Sequence, residues 1–134
     1  MPTCAVVRHV LFEDLGVWAD VLAARGYEVT YLEAGSDVLD AAAEADLTIV
    51  LGGPIGIGDV ARYPFLQAEA AMIGDRIVAE KPVIGACLGA QLIAAALGGY
   101  VRPGEPEIGW GPVALSAAGR KSVLAPLKTA PVLH

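Results

Sequence analysis

A cysteine between two glycines, in the stretch Gly85-Ala86-Cys87-Leu88-Gly89, constrains the fold of this chain more than any other feature. Residues 82–84 precede it as a short apolar run typical of a buried strand. Residues 90–99 follow it with the pattern of a helix that ends at glycine. A nucleophile at such a strand-to-helix turn forms a nucleophile elbow, because side chains at Gly85 and Gly89 would collide with the neighbouring strand and helix. The free N–H groups and the dipole at the helix start favour the thiolate of Cys87 over the thiol.

Short apolar runs alternate with helical segments along the first hundred residues. The pattern predicts strands at residues 4–10, 28–32, 46–51 and 82–84, and helices at residues 15–25, 38–45, 64–79 and 90–99. This alternation predicts an α/β fold with a doubly wound, mostly parallel sheet and helices on both faces.

Finer features follow from the same pattern. Leu15, Trp18, Val21 and Leu22 form one apolar face of the first helix, and Ser36 or Asp37 is the expected cap of the second. Beyond residue 99 we expect short strands at residues 100–102 and 109–115, the latter antiparallel, and a turn at residues 117–120. The segment 131–134 has the apolar character of a strand that is just beginning.

Composition bounds the class of protein. A length of 134 residues predicts a single domain over residues 1–134, and a net charge of −6 argues against a nucleic-acid partner. Cys4 and Cys87 form neither a disulfide framework nor a zinc-binding spacing, so no metal and no cofactor is expected. No signal peptide is visible, which favours a cytoplasmic setting. The uncharged run 82–101 is long enough for a membrane span, but its glycines favour a strand, a turn and a helix, so no membrane association is predicted.

A second glycine-rich segment, residues 52–59, follows the third predicted strand. Sites in open α/β sheets form at the carboxyl ends of strands. If the third and fourth strands are neighbours, the backbone N–H groups of Gly53 and Leu88 would form an oxyanion hole beside Cys87. A flexible surface turn is the alternative for this segment, whereas the residues needed for a phosphate-binding loop or a dinucleotide fingerprint are absent.

The segment from Gly85 to Gln91 resembles the Gly-x-Cys-x-Gly-x-Gln signature of class I glutamine amidotransferases, and residues 52–54 resemble their oxyanion loop. Residues 62–69 and 107–110 resemble segments of the stand-alone, GMP-synthase-like members. The resemblance implies a flavodoxin-like sheet in which Cys87 attacks the side-chain amide of glutamine or of another γ-glutamyl compound. It implies further that Gln91 and Gly52 help hold the substrate. The glutamyl thioester would then be hydrolysed, and the ammonia would be released or passed to a separate synthetase subunit.

The chain departs from this family in its histidines. Family members carry a His-x-Glu pair well downstream of the cysteine, whereas this chain has only His9 and His134, and we assign neither as the catalytic base. The chain therefore looks truncated. Without a general acid for the leaving ammonia, residues 1–134 alone are expected to hydrolyse glutamine weakly. The missing strands would leave an open sheet edge, so self-association as a homo-oligomer stays open.

Two other classes of function remain. A cysteine hydrolase or stress protein of the DJ-1/PfpI type would use the same elbow, but such proteins have an acidic residue near the cysteine and a histidine directly after it, where this chain has Leu88. A non-catalytic fragment or binding module that has kept the fold without the triad is the third candidate.

Overall fold

The computed structural model describes residues 1–134 and forms two compact units, Met1–Val101 and Arg102–His134. The first unit contains, in chain order, β1 (Thr3–Arg8), α1 (Val17–Ala24), β2 (Glu28–Glu33), α2 (Asp40–Glu44), β3 (Leu47–Val50), a 3-10 turn at Ile57–Asp59, α3 (Phe65–Val78), β4 (Val83–Gly85) and α4 (Leu88–Ala96). None of the helices combines the length and the apolar character that a bilayer crossing requires.

The four strands of the first unit form one fully parallel sheet in the order β2-β1-β3-β4. The chain builds β2 on one side of β1 and then places β3 on the other side. This reversal is the topological switch point at which doubly wound sheets bind their ligands, outside the carboxyl ends of the strands. The predicted parallel, doubly wound sheet is confirmed, and β3 and β4 are neighbours.

Alternate residues of the central strands point to opposite faces of the sheet. Ala5 and Val7 of β1 pack into a core with residues of α2, α3 and α4, whereas Cys4 and Val6 pack with Leu22 of α1 on the other face. Helices therefore cover both faces, as the sequence predicts. Because β1 and β3 are buried on both sides, their sequences are nearly continuous apolar runs.

Two details of the predicted helices are wrong. No side chain caps α2, and the Asp37 carboxylate instead accepts a hydrogen bond from the Glu33 N–H at 2.7 Å in the preceding turn. In α1 only Leu22 is buried, while Trp18 and Val21 stay 38% and 46% exposed. The helix is shorter than its apolar periodicity predicts, beginning at Val17, and it turns only part of that apolar face to the sheet.

A buried arginine binds the carbonyl groups at the carboxyl end of α2, which has no capping residue of its own. The Arg76 guanidinium on α3 donates to the carbonyls of Ala42, Ala43 and Ala45 at 2.9–3.0 Å. It also donates to the carbonyl of Pro82, just before β4, at 2.7 Å. Burial lowers the pKa of this guanidinium, and the charges of Glu44 and Asp46 oppose that shift. One side chain thus connects α2, α3 and the start of β4.

The second unit contains the two-residue strands β5 (Trp110–Gly111) and β6 (Val132–Leu133) and two 3-10 turns at Gly119–Lys121 and Ala125–Lys128. The strands β5 and β6 pair antiparallel, which confirms the predicted direction of β5 and the strand at the end of the sequence. The strand expected at residues 100–102 does not form, and that expected at 109–115 is reduced to two residues. Pro103, Pro106 and Pro112 flank these segments and lack the N–H donors that longer ladders need.

Candidate active site

Cys87 lies between β4 and α4 with φ 54° and ψ −111°, a backbone conformation that residues other than glycine rarely adopt. Its side chain is exposed. Strained backbone of this kind is typical of a nucleophile elbow, where the turn lifts the nucleophile clear of the sheet. Leu88 begins α4, so its N–H has no acceptor within the helix. The turn therefore presents a thiol and a backbone donor side by side.

The glycines around Cys87 stand where no side chain fits. A Cβ on Gly85 would lie 2.4 Å from the carbonyl carbon of Gly89, and a Cβ on Gly89 would lie 2.0 Å from the carbonyl oxygen of Val50 in β3. Both distances are far below any van der Waals contact. The helix α4 can approach the sheet this closely only because these two positions lack a Cβ.

Three neighbouring strands end at the same edge of the sheet and deliver the site residues. His9 follows β1, Gly52 follows β3, and Cys87 follows β4. A Cβ on Gly52 would lie 3.1 Å from Cys87 Cβ and 3.6 Å from Cys87 Sγ. The glycine-rich loop after β3 therefore runs directly beside the thiol, which is the arrangement expected from the sequence if β3 and β4 are neighbours.

Glu13, in the loop between β1 and α1, also reaches this point, and sequence reasoning missed it. Its Oε2 lies 2.9 Å from the position that a Cβ on Gly52 would occupy, so the carboxylate and the thiol flank the same glycine. The signal available in the sequence was its place in the first strand-to-helix loop, which opens at the same edge of the sheet. Glu13 therefore places a carboxylate near the Cys87 thiol.

His9 is buried and engaged through both ring nitrogens. Nε2 lies 2.9 Å from Oε2 and 3.2 Å from Oε1 of Glu69 on α3, and Nδ1 lies 3.1 Å from the carbonyl oxygen of Gly52. The two side chains are only 2% and 1% exposed. Because neither nitrogen is left for the Cys87 thiol, His9 does not stand as a base toward it. The pairing with Glu69 was not predicted from the sequence.

The surroundings of His9 favour its charged form. Burial lowers the pKa of His9, but the hydrogen bond and the negative charge of Glu69, the Gly52 carbonyl and the Glu13 carboxylate together outweigh it. The pKa of His9 therefore lies above its ordinary value. An imidazole whose surroundings favour protonation thus contacts the loop that passes the thiol.

Gln91 lies on the first turns of α4 and connects that helix to the glycine-rich loop. Its side-chain Oε1 accepts a hydrogen bond from the Ile57 N–H at 3.2 Å. The Asp59 carboxylate closes the same loop on itself by accepting from the Gly56 N–H at 2.8 Å. Gln91, which the sequence predicts to help hold the substrate, is thus bonded to the glycine-rich loop.

His134 lies in the second unit, where its Nδ1 is 3.2 Å from Oε2 of Glu107. Its backbone N–H and carbonyl both bond to Gly109 and extend the β5–β6 pair. No group of three or more His, Cys, Asp and Glu side chains is arranged to hold a metal ion.

Comparison with known proteins agrees with this geometry. The model of the family "Glutamine amidotransferase class-I" matches residues 17–125. The glutamine amidotransferase-like protein YfeJ of Salmonella typhimurium is 36% identical over 124 residues. The solved structure of a glutamine amidotransferase from Thermotoga maritima is 34% identical with a TM-score of 0.74, and that of one from Methylobacillus flagellatus is 33% identical with a TM-score of 0.72.

These matches cover most of this chain but only about half of each relative. The alignment with YfeJ includes 88% of this chain and 52% of YfeJ. The two solved structures each align with 81% of this chain, which corresponds to 49% of the Thermotoga chain and 44% of the Methylobacillus chain.

Proposed function

Because this chain belongs to the class I glutamine amidotransferase family, we propose that it carries the glutaminase half-reaction of such an enzyme, with Cys87 as the nucleophile. The observation that carries the proposal is the elbow: an exposed thiol at φ 54°, at the start of a helix, beside a glycine loop. The substrate is glutamine or another γ-glutamyl compound. Water accepts the γ-glutamyl group, and the ammonia is released or passed to a separate synthetase subunit.

The first step is attack of the Cys87 thiolate on the carbonyl carbon of the side-chain amide. A C–S bond forms, and the negative charge moves to the amide oxygen. The N–H groups of Gly53 and Leu88 are the proposed donors to this oxyanion. Their support is that the loop after β3 passes the thiol and that the N–H of Leu88 has no intrahelical acceptor. The tetrahedral intermediate then breaks its C–N bond.

The second step completes the hydrolysis. The leaving nitrogen takes up a proton and departs as ammonia, which leaves a γ-glutamyl thioester on Cys87. Water attacks this thioester and regenerates the thiol with release of glutamate. Gln91 and Gly52 are the proposed substrate contacts. Gly52 lies beside the Cys87 thiol, and Gln91 bonds the glycine-rich loop that contains Gly52.

The general acid for ammonia release is not assigned within residues 1–134. His9 has both nitrogens bonded to Glu69 and Gly52, and His134 is paired with Glu107 in the second unit. We therefore expect residues 1–134 to form the covalent adduct at Cys87 readily but to turn over glutamine slowly. The family match spans residues of both units, which supports one amidotransferase domain that includes them. A cytoplasmic location is the setting in which both thiols stay reduced.

A hydrolase of the DJ-1/PfpI type is the second candidate, favoured by one observation. Glu13 does place a carboxylate beside Cys87, as that group requires. The residue after the cysteine is Leu88, where that group has histidine, and the family match favours the amidotransferase. Turnover of peptide or glyoxal substrates that depends on Cys87 would support this second candidate.

The decisive experiment is covalent labelling with a diazoketone analogue of glutamine, followed by intact-mass measurement and peptide mapping. We expect one adduct per chain, located at Cys87 and suppressed by excess glutamine, and no adduct in Cys87→Ser. Cys4→Ser is the matched control, because Cys4 is buried in the core and should not contribute. A wild-type chain that reacts with iodoacetamide but not with the glutamine analogue would support the binding-module alternative instead.

A further inference from the structure

The orientation of the peptide plane between Gly52 and Gly53 must be fixed by a contact from outside the loop. Glycine has no Cβ and adopts many backbone conformations, so a plane between two glycines rotates at little steric cost. One orientation offers the Gly53 N–H to a developing oxyanion, and the opposite orientation offers the Gly52 carbonyl, which repels it. The loop after β3 therefore depends on something outside itself to choose between them.

The hydrogen bond between His9 and the Gly52 carbonyl fixes that orientation. Nδ1 of His9 bonds the Gly52 carbonyl oxygen at 3.1 Å. In a trans peptide the C=O and the following N–H point in opposite directions within one plane. Fixing the direction of the Gly52 carbonyl toward His9 thus fixes the direction of the Gly53 N–H away from it. That N–H has no acceptor among the backbone hydrogen bonds of the chain.

The imidazole can hold the carbonyl only while Nδ1 carries a proton. The Gly52 carbonyl accepts and cannot donate, and an ionised Glu69 carboxylate likewise only accepts. Both nitrogens of His9 must then be donors, which makes the ring an imidazolium. The Glu69 carboxylate lies 2.9 Å from Nε2 of His9 and supplies the compensating negative charge. Both side chains are buried, so water does not screen this pair.

Packing contacts keep the His9 imidazole in place against the loop. A Cβ on Gly53 would lie 2.8 Å from His9 Cβ, so the loop is in close contact with the histidine. The ring of Phe65 stacks on the His9 imidazole with centroids 6.3 Å apart, and Phe65 itself fits against Gly35. The histidine therefore has little freedom to leave the carbonyl.

We propose that His9 and Glu69 are positioning residues for the oxyanion hole: the charged imidazole of His9, held by Glu69, fixes the Gly52–Gly53 peptide with its N–H toward the substrate. The inference rests on the proposed function, since it assigns the orientation of a donor that function uses. Neither residue touches the reacting atoms.

The proposal has a definite pH dependence. The titratable groups that face His9 are Glu69 on α3 and Glu13 in the loop after β1, and both favour the charged ring. A histidine whose pKa is raised in the folded state stabilises that state fully below its unfolded value near 6.5, and this contribution is lost as pH rises through the folded pKa. The hold on the loop should fail over the same upper range of pH.

The test compares two electrophiles at Cys87. The diazoketone analogue of glutamine places a carbonyl where the oxyanion forms, whereas iodoacetamide alkylates the thiolate without any oxyanion. The ratio of the two labelling rates, followed by intact mass from pH 5.5 to 9.5, isolates the oxyanion hole from the reactivity of the thiol. We expect the wild-type ratio to be highest at low pH and to fall as pH rises through the folded pKa of His9.

The first variant is Glu69→Gln, which removes the charge of the side chain. Its amide N–H can donate to Nε2 of a neutral ring, which leaves the His9 proton on Nδ1 for the Gly52 carbonyl. We therefore expect its ratio to stay near the low-pH value of wild type and not to fall at high pH. The second variant is His9→Gln, whose ratio should lie about tenfold below the low-pH value of wild type at every pH, a fraction of the loss that follows complete removal of an oxyanion donor. Asp75→Asn, an exposed acid on the same helix, is the control and should match wild type.

Two results would overturn the proposal: a His9→Gln ratio equal to wild type across the pH range, or a Glu69→Gln ratio that falls at high pH as the wild-type ratio does. General damage to the fold in either variant would be revealed independently by thermal unfolding. Failure of the proposed function has a different signature, since the wild-type chain itself would then react with iodoacetamide only.

Discussion

At the scale of single residues, the geometry of this chain depends as much on missing atoms as on functional groups. Gly89 lets the backbone of α4 approach β3. A Cβ there would lie 2.0 Å from the Val50 carbonyl oxygen, and this clash cannot be relieved by a side-chain rotation because the oxygen belongs to the backbone. Its place in the elbow is therefore a matter of volume, and we expect any substitution there to move the helix that supports Cys87.

We expect Gly89→Ala to lower the free energy of unfolding by about 3 kcal/mol or more, since the helix must shift to admit a methyl group. Gly74→Ala is the matched control. Gly74 lies within α3 with open space around its Cα, so alanine should raise stability by about 0.5–1 kcal/mol through helix propensity. Urea titration followed by circular dichroism measures both. Equal stability of Gly89→Ala and wild type would contradict the packing argument.

Single residues also mark where sequence reasoning succeeded and where it ended. The two glycines and the strand-to-helix turn at Cys87 could be predicted because their spacing within five positions is itself the signal of the turn. The pair of His9 and Glu69 is separated by 60 positions, and nothing in the identity of either residue points to the other. The strand order places β1 beside β3 and so brings His9 next to the Gly52 loop, and this order cannot be read from the two residues themselves.

At the scale of elements, α2 shows what a short helix needs when its own sequence provides no stop. It has five residues, no side-chain cap at its start and no glycine directly after it. Its terminal carbonyls are instead bound by the guanidinium of Arg76 from α3, whose positive charge also suits the negative end of the helix. The strand and helix order was predictable from apolar periodicity, but this cross-helix cap was not, because a lone arginine on an amphipathic helix usually faces water.

We expect Arg76→Met to lower the free energy of unfolding by about 3 kcal/mol. The substitution keeps an apolar stem of similar length but leaves the buried Ala45 carbonyl without a donor. The carbonyls of Ala42 and Pro82 lose their charged donor and keep only the Thr48 hydroxyl and the Thr48 N–H, respectively. Arg25→Met, at an exposed position after α1, should change stability by less than about 0.5 kcal/mol. Chemical denaturation of both variants decides the matter. A gain of stability in Arg76→Met would mean that the cost of burying the charge exceeds the value of its hydrogen bonds.

At the scale of the whole molecule, burial is distributed unevenly along the chain. The strands β1 and β3 lie at the centre of the sheet and are almost wholly buried, whereas no residue from Arg102 to His134 falls in the buried class. The second unit has only two-residue strands and 3-10 turns. Its stretches of proline and glycine explain why the predicted longer strands do not form.

We expect amide hydrogen exchange to divide the chain along this line. Amides of β1 and β3 should exchange only through global unfolding, because their hydrogen bonds are covered on both faces. Amides from Arg102 onward should exchange faster by several orders of magnitude. Mass spectrometry of peptic fragments measures both in one experiment. Slow exchange in the β5–β6 pair comparable to that of β1 would contradict the expectation.

The two thiols make the molecule its own reporter of unfolding. Cys4 is buried in the core beneath α1, and burial raises the pKa of its thiol despite the opposing charge of Arg76, whereas Cys87 is open to solvent. A colorimetric thiol reagent should therefore count one sulfhydryl in the native chain and two in denaturant. In the Cys87→Ser variant, the rate at which the Cys4 thiol reacts measures the rate at which the sheet opens. The buried thiol of Cys4 would then report the rate at which the sheet that carries the Cys87 turn unfolds.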